Sequence, residues 1–223
     1  MIITDKVIEN HINTIIDLVK EIETNKVTVL VGQNGTGKSL IRKQMGVRFY
    51  KEYGDNKSHT RTVSMQARTE SRPEFDALCT CMHDMPDEPT SLASYSLVES
   101  VMNYDMKNIN DYFLIFDELE VGMSEESILG MVEYLNKNIL SWLENSLGIL
   151  IITHSKVLAS GIMKSFDANF INLGYNTVSY DFNEWLNRKL EPADFNFLRE
   201  WSSKLYHAVS VRSKSIKNNN EKR

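Results

Sequence analysis

The feature that most constrains this chain is a junction. Residues 27–31 read VTVLV, and residues 32–39, directly after them, read GQNGTGKS. A β-branched run with no polar face predicts a strand covered on both sides, as in a parallel sheet. The loop fits G-x-x-x-x-G-K-[S/T], and a helix is expected from about residue 38 to residue 50. Strand, glycine loop and helix in that order are the context in which this pattern cradles phosphate. Gly35 and Gly37 let the backbone curl so that several N–H groups point inward. The helix N-terminus adds roughly half a positive charge. The candidate nucleotide-binding residues are therefore Gly32, Gln33, Asn34, Gly35, Thr36, Gly37, Lys38, Ser39 and Leu40. Lys38 is expected to reach the β- and γ-phosphates, and Ser39 to offer an oxygen to Mg2+.

Two further strand ends carry chemistry. Residues 112–118 read YFLIFDE, a buried strand that ends in Asp117 and Glu118. Ligands of open α/β sheets bind at the carboxyl ends of the strands. Asp117 is placed to hold Mg2+, and Glu118 to orient or deprotonate an attacking water. Residues 148–155 read GILIITHS. If that strand neighbours the first, His154 comes near a terminal phosphate, where an imidazole can hydrogen-bond the phosphate or the water.

Between these points the pattern alternates. Apolar positions Val7, Ile8, Ile12, Ile15, Ile16, Val19 and Ile22 have helical spacing, with Thr4 or Asp5 as cap. Residues 60–66 (TRTVSMQ) and 169–173 (NFINL) read as strands, and residues 126–145 as a long helix. Residues 70–92 hold Pro73, Pro86 and Pro89 and read as irregular, with a helix after them. Two amphipathic helices are expected at about 183–190 and 193–211. Strands alternating with helices predict an α/β fold with a mostly parallel central sheet and helices on both faces. The expected organisation is a core over residues 1–175, with an N-terminal helix at 5–24 and a helical insertion at about 70–110. A helical appendage at 176–211 and a flexible basic tail at 212–223 follow.

Together the three motifs resemble those of ABC-type P-loop ATPases, whose loop has the inner pattern G-x-N-G-x-G-K-S. Within that class DELEVGMSEE (117–126) and THSKVLAS (153–160) resemble the compact stand-alone AAA, OLD-like and SMC-like ATPases. The resemblance covers roughly residues 27–175. It implies a three-layer P-loop NTPase sandwich with ATP and Mg2+ as cofactors. Lys38, Ser39 and the loop amides would bind the triphosphate, and Asp117 the Mg2+. Glu118 would be the catalytic base and His154 the switch histidine. Gln66 would sense Mg2+ and water, and residues 121–124 would touch an opposite subunit. The class carries L-S-G-G-Q about 23 residues before the strand-end Asp; here residues 93–97 read ASYSL, so only Ser94 matches, and Tyr95 and Ser96 replace glycines. Leu119 replaces a proline, and a helix stands where antiparallel strands with a base-stacking aromatic usually precede the loop.

Charge narrows the partners. The net charge is −5, against a dedicated electrostatic nucleic-acid binder. Residues 212–223 carry +4, which leaves −9 for the rest. Nucleic acid is a conceivable partner that the net charge does not favour. No apolar run reaches the roughly 18 residues of a membrane span, and no signal-peptide pattern is read, so a cytoplasmic setting is expected. Cys79, Cys81 and His83 have the types of metal ligands but form one cluster, where a structural zinc site needs two knuckles. The aromatic residues Trp185, Phe195, Phe197, Trp201 and Tyr206 are expected to pack against the sheet or to present a partner surface.

The function expected is an ATPase whose nucleotide-dependent homodimerisation drives a partner carried on another chain. The alternative is a nucleotide-gated scaffold that hydrolyses slowly or not at all. A small-molecule kinase would share the loop, but it would need an Arg-rich lid and would not need Glu118.

Overall fold

The computed structural model describes residues 3–54, 58–64, 95, 96, 98, 99, 111–189 and 191–220, with residues 213–220 as backbone only. Its elements are α1 (Asp5–Glu21), β1 (Val27–Gly32), α2 (Lys38–Tyr53), β2 (Thr60–Ser64), β3 (Phe113–Asp117) and α3 (Glu125–Glu144). They continue with β4 (Gly148–Thr153), α4 (Lys156–Ser165), β5 (Asn169–Leu173), β6 (Val178–Ser179), α5 (Phe182–Asn187) and α6 (Phe195–Asn220). Gln66, Ser94, Cys79, Cys81 and His83 lie outside the described residues, as does most of the insertion.

The six strands form one sheet in the order β2-β3-β4-β1-β5-β6. Every pairing is parallel except β5 with β6. All residues of β1, β3 and β4 are buried, as their largely apolar runs require when helices cover both faces. The strand period of two divides β1 between two cores. Val29 and Val31 join Phe116, Ile151, Leu135 and Trp142 under α3, α4 and α5. Leu30 joins Ile41, Phe49 and Ile152 under α1 and α2. The architecture is therefore a three-layer α/β/α sandwich, and β1 lies near its middle.

Side chains fix where the helices start. Thr4 Oγ1 accepts from Val7 N, Ser124 Oγ from Ser127 N, and Ser155 Oγ from Leu158 N. Each cap satisfies an N–H that the first helical turn leaves without a partner.

The C-terminal aromatics divide, so the expectation that they pack against the sheet or present a partner surface holds for the sheet only in part. Trp185 packs against it, with ring centroids 5.5 Å from Phe170 of β5. Trp201 is fully buried but packs with Ile8 and Ile12 of α1 in a separate cluster. The reason is geometric: α1 already covers that face of the sheet, so its outer side is the apolar surface left for α6. Helix α6 also runs on to Asn220, past the expected end at residue 211 and into the basic segment.

Candidate functional site

The site forms where β1, β3 and β4 end on the same side of the sheet. Strand β4 pairs with β1, with Val31 opposite Thr153, and with β3, with Asp117 opposite Ile152. That register brings His154, Asp117 and the phosphate loop together.

The loop is held open from outside. His11 Nε2 lies 2.7 Å from Thr36 O, and His11 Nδ1 accepts from Asn176 N. An acceptor at Nδ1 puts the hydrogen on Nε2, so the neutral ring donates to the loop. Burial lowers the His11 pKa, against the bond to Thr36, and so favours this neutral form. Tyr175 Oη donates to Asn34 O at 2.6 Å. The Thr36 hydroxyl donates to Gln33 O at 2.8 Å. Three carbonyls are engaged in this way, and two amides of the stretch are engaged within it, Thr36 N with Gln33 O at 3.4 Å and Leu40 N with Gly37 O at 2.9 Å. Gly37 has φ 101°, and a Cβ there would meet Ile15 Cδ1 of α1 at 2.5 Å. Glycine is required at that position on both counts.

Lys38 begins α2 and is nearly buried. Its Nζ donates to Gly32 O at 3.2 Å and Gln33 O at 3.1 Å. Burial lowers its pKa, while Glu118, Asp117 and Glu120 pull it back up. Ser39 follows, exposed at the first turn of α2, and Leu40 is half-buried. Gln33, Asn34 and Gly35 are exposed along the loop.

Asp117 is buried at the end of β3. Arg42, one turn after Lys38, places Nη1 2.6 Å from Asp117 Oδ2, and Ser64 Oγ donates to the same oxygen at 3.4 Å. Burial nevertheless raises the Asp117 pKa; Arg42 opposes that shift without reversing it. A carboxylate held in this way favours a further cation. Its hard oxygen and that of Ser39 fit Mg2+, which keeps waters and phosphate oxygens as its other ligands and needs no protein cage. Among the described residues there is no group of three or more His, Cys, Asp or Glu that could hold a metal ion by itself.

Glu118 has φ 54°, in the left-handed region. The bend is held by Glu118 N donating to Ile152 O at 2.9 Å. Its carboxylate lies 2.9 Å from His154 Nε2. Glu120 secures the histidine: its Oε1 accepts from Thr153 Oγ1 at 2.6 Å and from His154 N at 2.7 Å. Leu119, between the two acids, is buried in the core under α3.

Two cavities flank the loop. One, of about 300 Å³, is bordered by Lys38, Ser39, Leu40, Lys43, Glu118 and residues of α6. The other, of about 470 Å³, lies between Gly32, Gln33, Asn34 and His154 and the α5–α6 connection, including Arg188.

The structure thus gathers Gly32 to Leu40, Asp117, Glu118 and His154 into one site. Sequence reasoning missed His11, Arg42, Ser64, Glu120 and Tyr175. Two of these had a signal. His11 stands on the apolar stripe of α1 between Ile8 and Ile15, where a histidine needs a reason. Arg42 is four residues after Lys38, on the same helix face.

No protein-family model matches the chain, and no curated protein matches it. Among solved structures it is similar to CbiO1 of Clostridium perfringens, part of an ABC transporter complex. That likeness has 16% identity and a TM-score of 0.40 and covers 90% of this chain and 89% of the other. It is also similar to PCH-2 of C. elegans (17% identity, TM-score 0.39, 76% of this chain). A third is the Pif1 helicase of Candida albicans (13% identity, TM-score 0.41, 78% of this chain). The chain spans 42% and 40% of the length of the latter two. Likenesses this loose add nothing about activity. The fold, an α/β sandwich of the P-loop NTPase kind, stands on the chain's own sheet order and loop.

Proposed function

We propose that the protein is an ATP-binding ATPase of the ABC type, which couples nucleotide-dependent homodimerisation to a partner on another chain. One observation carries this reading: Lys38 sits inside an open glycine loop with Asp117, Glu118 and His154 at its mouth. The loop amides and Lys38 hold the β- and γ-phosphates, and Gly32 to Leu40 form the cradle. Ser39 and Asp117 would hold Mg2+, which would supply charge neutralisation on the phosphates. Water attacks the γ-phosphorus in line; the new O–P bond forms as the bond to the β-phosphate oxygen breaks. Glu118 takes the water's proton. His154, donating from Nε2 to Glu118, keeps that carboxylate aimed at the water. Gln66 is proposed to sense Mg2+ and water. The turn at residues 121–124, where Val121 is exposed, is the proposed dimer contact.

A second reading, a nucleotide-gated scaffold with little or no turnover, is favoured by Tyr95. Where the resembled class has a glycine, Tyr95 is half-buried with its ring 4.7 Å from that of Tyr134. A packed tyrosine does not offer the close backbone approach that a glycine gives a partner's phosphate.

Phosphate release by the wild type and by Glu118→Gln separates the two readings. The ATPase reading expects a loss of roughly 100-fold or more in the variant with ATP binding retained. Equal, slow turnover in both would leave only the scaffold. Mass in solution with and without ATP tests dimerisation, and a monomer in both states overturns it. Pull-down with Glu118→Gln in ATP seeks the partner. A cytoplasmic setting is proposed too; among the described residues no helix is long and apolar enough to cross a membrane.

A further inference from the structure

We propose that α6 forms the nucleoside-binding wall of the site, with Tyr206 stacking on the base of the bound nucleotide and with little discrimination between bases. This deepens the ATP-binding reading and rests on it.

Helix α6 is seated on the phosphate loop. A Cβ at Gly35 would meet Ser202 Oγ at 2.7 Å. Ser202, Leu205, Tyr206 and Val209 all border the loop-side cavity. Their spacing of three, four and seven residues puts them on one helix face. Across the cavity stand Leu40 and Lys43 of α2. Trp201 and Leu205 meanwhile pack with Ile8 and Ile12 of α1, which fixes the rotation of α6.

The direction of the nucleotide follows from the site. Asp117, Glu118 and His154 mark the γ-phosphate end. The nucleoside must leave the loop at the other end, along the flank of α2 at Leu40 and Lys43. The cavity runs from Glu118 past Lys38 and Ser39 to Leu40, Lys43 and α6, so its volume of about 300 Å³, at the small end of ligand pockets, takes in the phosphate cradle as well as the space beside Tyr206. Tyr206 is 78% exposed at its edge. A large ring in water beside a phosphate cradle is poised to cover a flat, apolar ligand face. Helix α1 occupies the chain before the loop, so α6 is the element that brings an aromatic to the cavity.

Leu40, Leu205 and Val209 offer the base no hydrogen bonds from their side chains. Ser202 and Lys43 are short or mobile polar contacts suited to ribose hydroxyls. Stacking tolerates every base, since each has a π-face. ATP and GTP are therefore expected to bind within about fivefold of one another.

The test is binding of ATP, GTP and inorganic tripolyphosphate to the wild type, Tyr206→Ala, Tyr206→Phe and Lys38→Ala. Tyr206→Ala should weaken ATP about tenfold and leave tripolyphosphate unchanged. Tyr206→Phe should bind ATP like the wild type. Tyr206 is exposed, so its loss does not endanger folding. Irradiation with 8-azido-ATP should label a peptide of α6. If Lys38→Ala binds ATP as well as the wild type, the nucleotide reading itself fails. If Lys38→Ala loses ATP but Tyr206→Ala does not, only the α6 inference is overturned. Equal weakening of ATP and tripolyphosphate in Tyr206→Ala would also overturn it. A preference above tenfold between ATP and GTP would overturn base tolerance.

Discussion

Arg42 Nη1 lies 2.6 Å from Asp117 Oδ2, so the acid expected to hold Mg2+ already has a cation at one of its oxygens. The pair is unequal: burial still raises the Asp117 pKa. A raised folded pKa means that the folded state holds this proton more tightly than the unfolded chain. The carboxylate's contribution to stability is then present at low pH and is lost as pH rises through that raised pKa. Arg42→Gln should raise it further. The variant should lose about 2 kcal/mol of stability at pH 8 and clearly less at pH 4.5, measured by urea unfolding. An equal loss at both would mean that Arg42 acts through packing alone.

Glu120 is expected to position His154, since one of its oxygens holds both Thr153 Oγ1 and His154 N. Glu120→Ala should lower kcat for ATP about 10- to 100-fold with KM changed less than threefold. Glu120→Gln, which keeps an acceptor, should recover much of the rate. If neither substitution moves kcat, the 2.9 Å contact between His154 and Glu118 does not depend on Glu120.

His11 gives the fold a weakness on the acid side. Its pKa is lowered by burial, so below about pH 6.5 the unfolded chain takes up a proton that the folded chain resists. Protonation would also remove the acceptor that Asn176 N uses. The wild type should lose on the order of 1 kcal/mol between pH 7 and pH 5 from this group. In His11→Gln, which has no titrating ring, that part of the slope should vanish. Parallel pH profiles of thermal unfolding for the two proteins would count against the idea.

Gly161 of α4 is a packing glycine. A Cβ there would run into Val132 of α3. Gly161→Ala should cost about 1–3 kcal/mol through overpacking, although alanine favours a helix. Gly161→Ala combined with Val132→Ala should recover most of that loss, and thermal unfolding of both variants checks it.

The sequence made the strands and the reactive tips legible because these are local facts. VTVLV, YFLIF and GILIIT have no polar face to offer solvent, so they had to be buried strands. The residues that support the site were not legible in the same way. Tyr175 reaches Asn34 across 141 positions, and His11 reaches Thr36 across 25. Such pairs are set by which helix covers which face, and no short pattern encodes that. The placement of α6 was missed for the same cause: its aromatics were plain in the sequence, but that α1 would already hold the sheet face was not.

The seating of Ser202 against Gly35 has a consequence for synthesis. The loop and Lys38 leave the ribosome early, whereas Ser202, on the helix that borders them, follows 167 residues after Gly35. Tyr175, which braces the loop at Asn34, is made only 20 residues before α6 begins at Phe195, so the anion cradle is completed shortly before α6 arrives to wall it. Selective retention of a whole nucleotide, as opposed to any polyphosphate, would be among the last properties this molecule acquires.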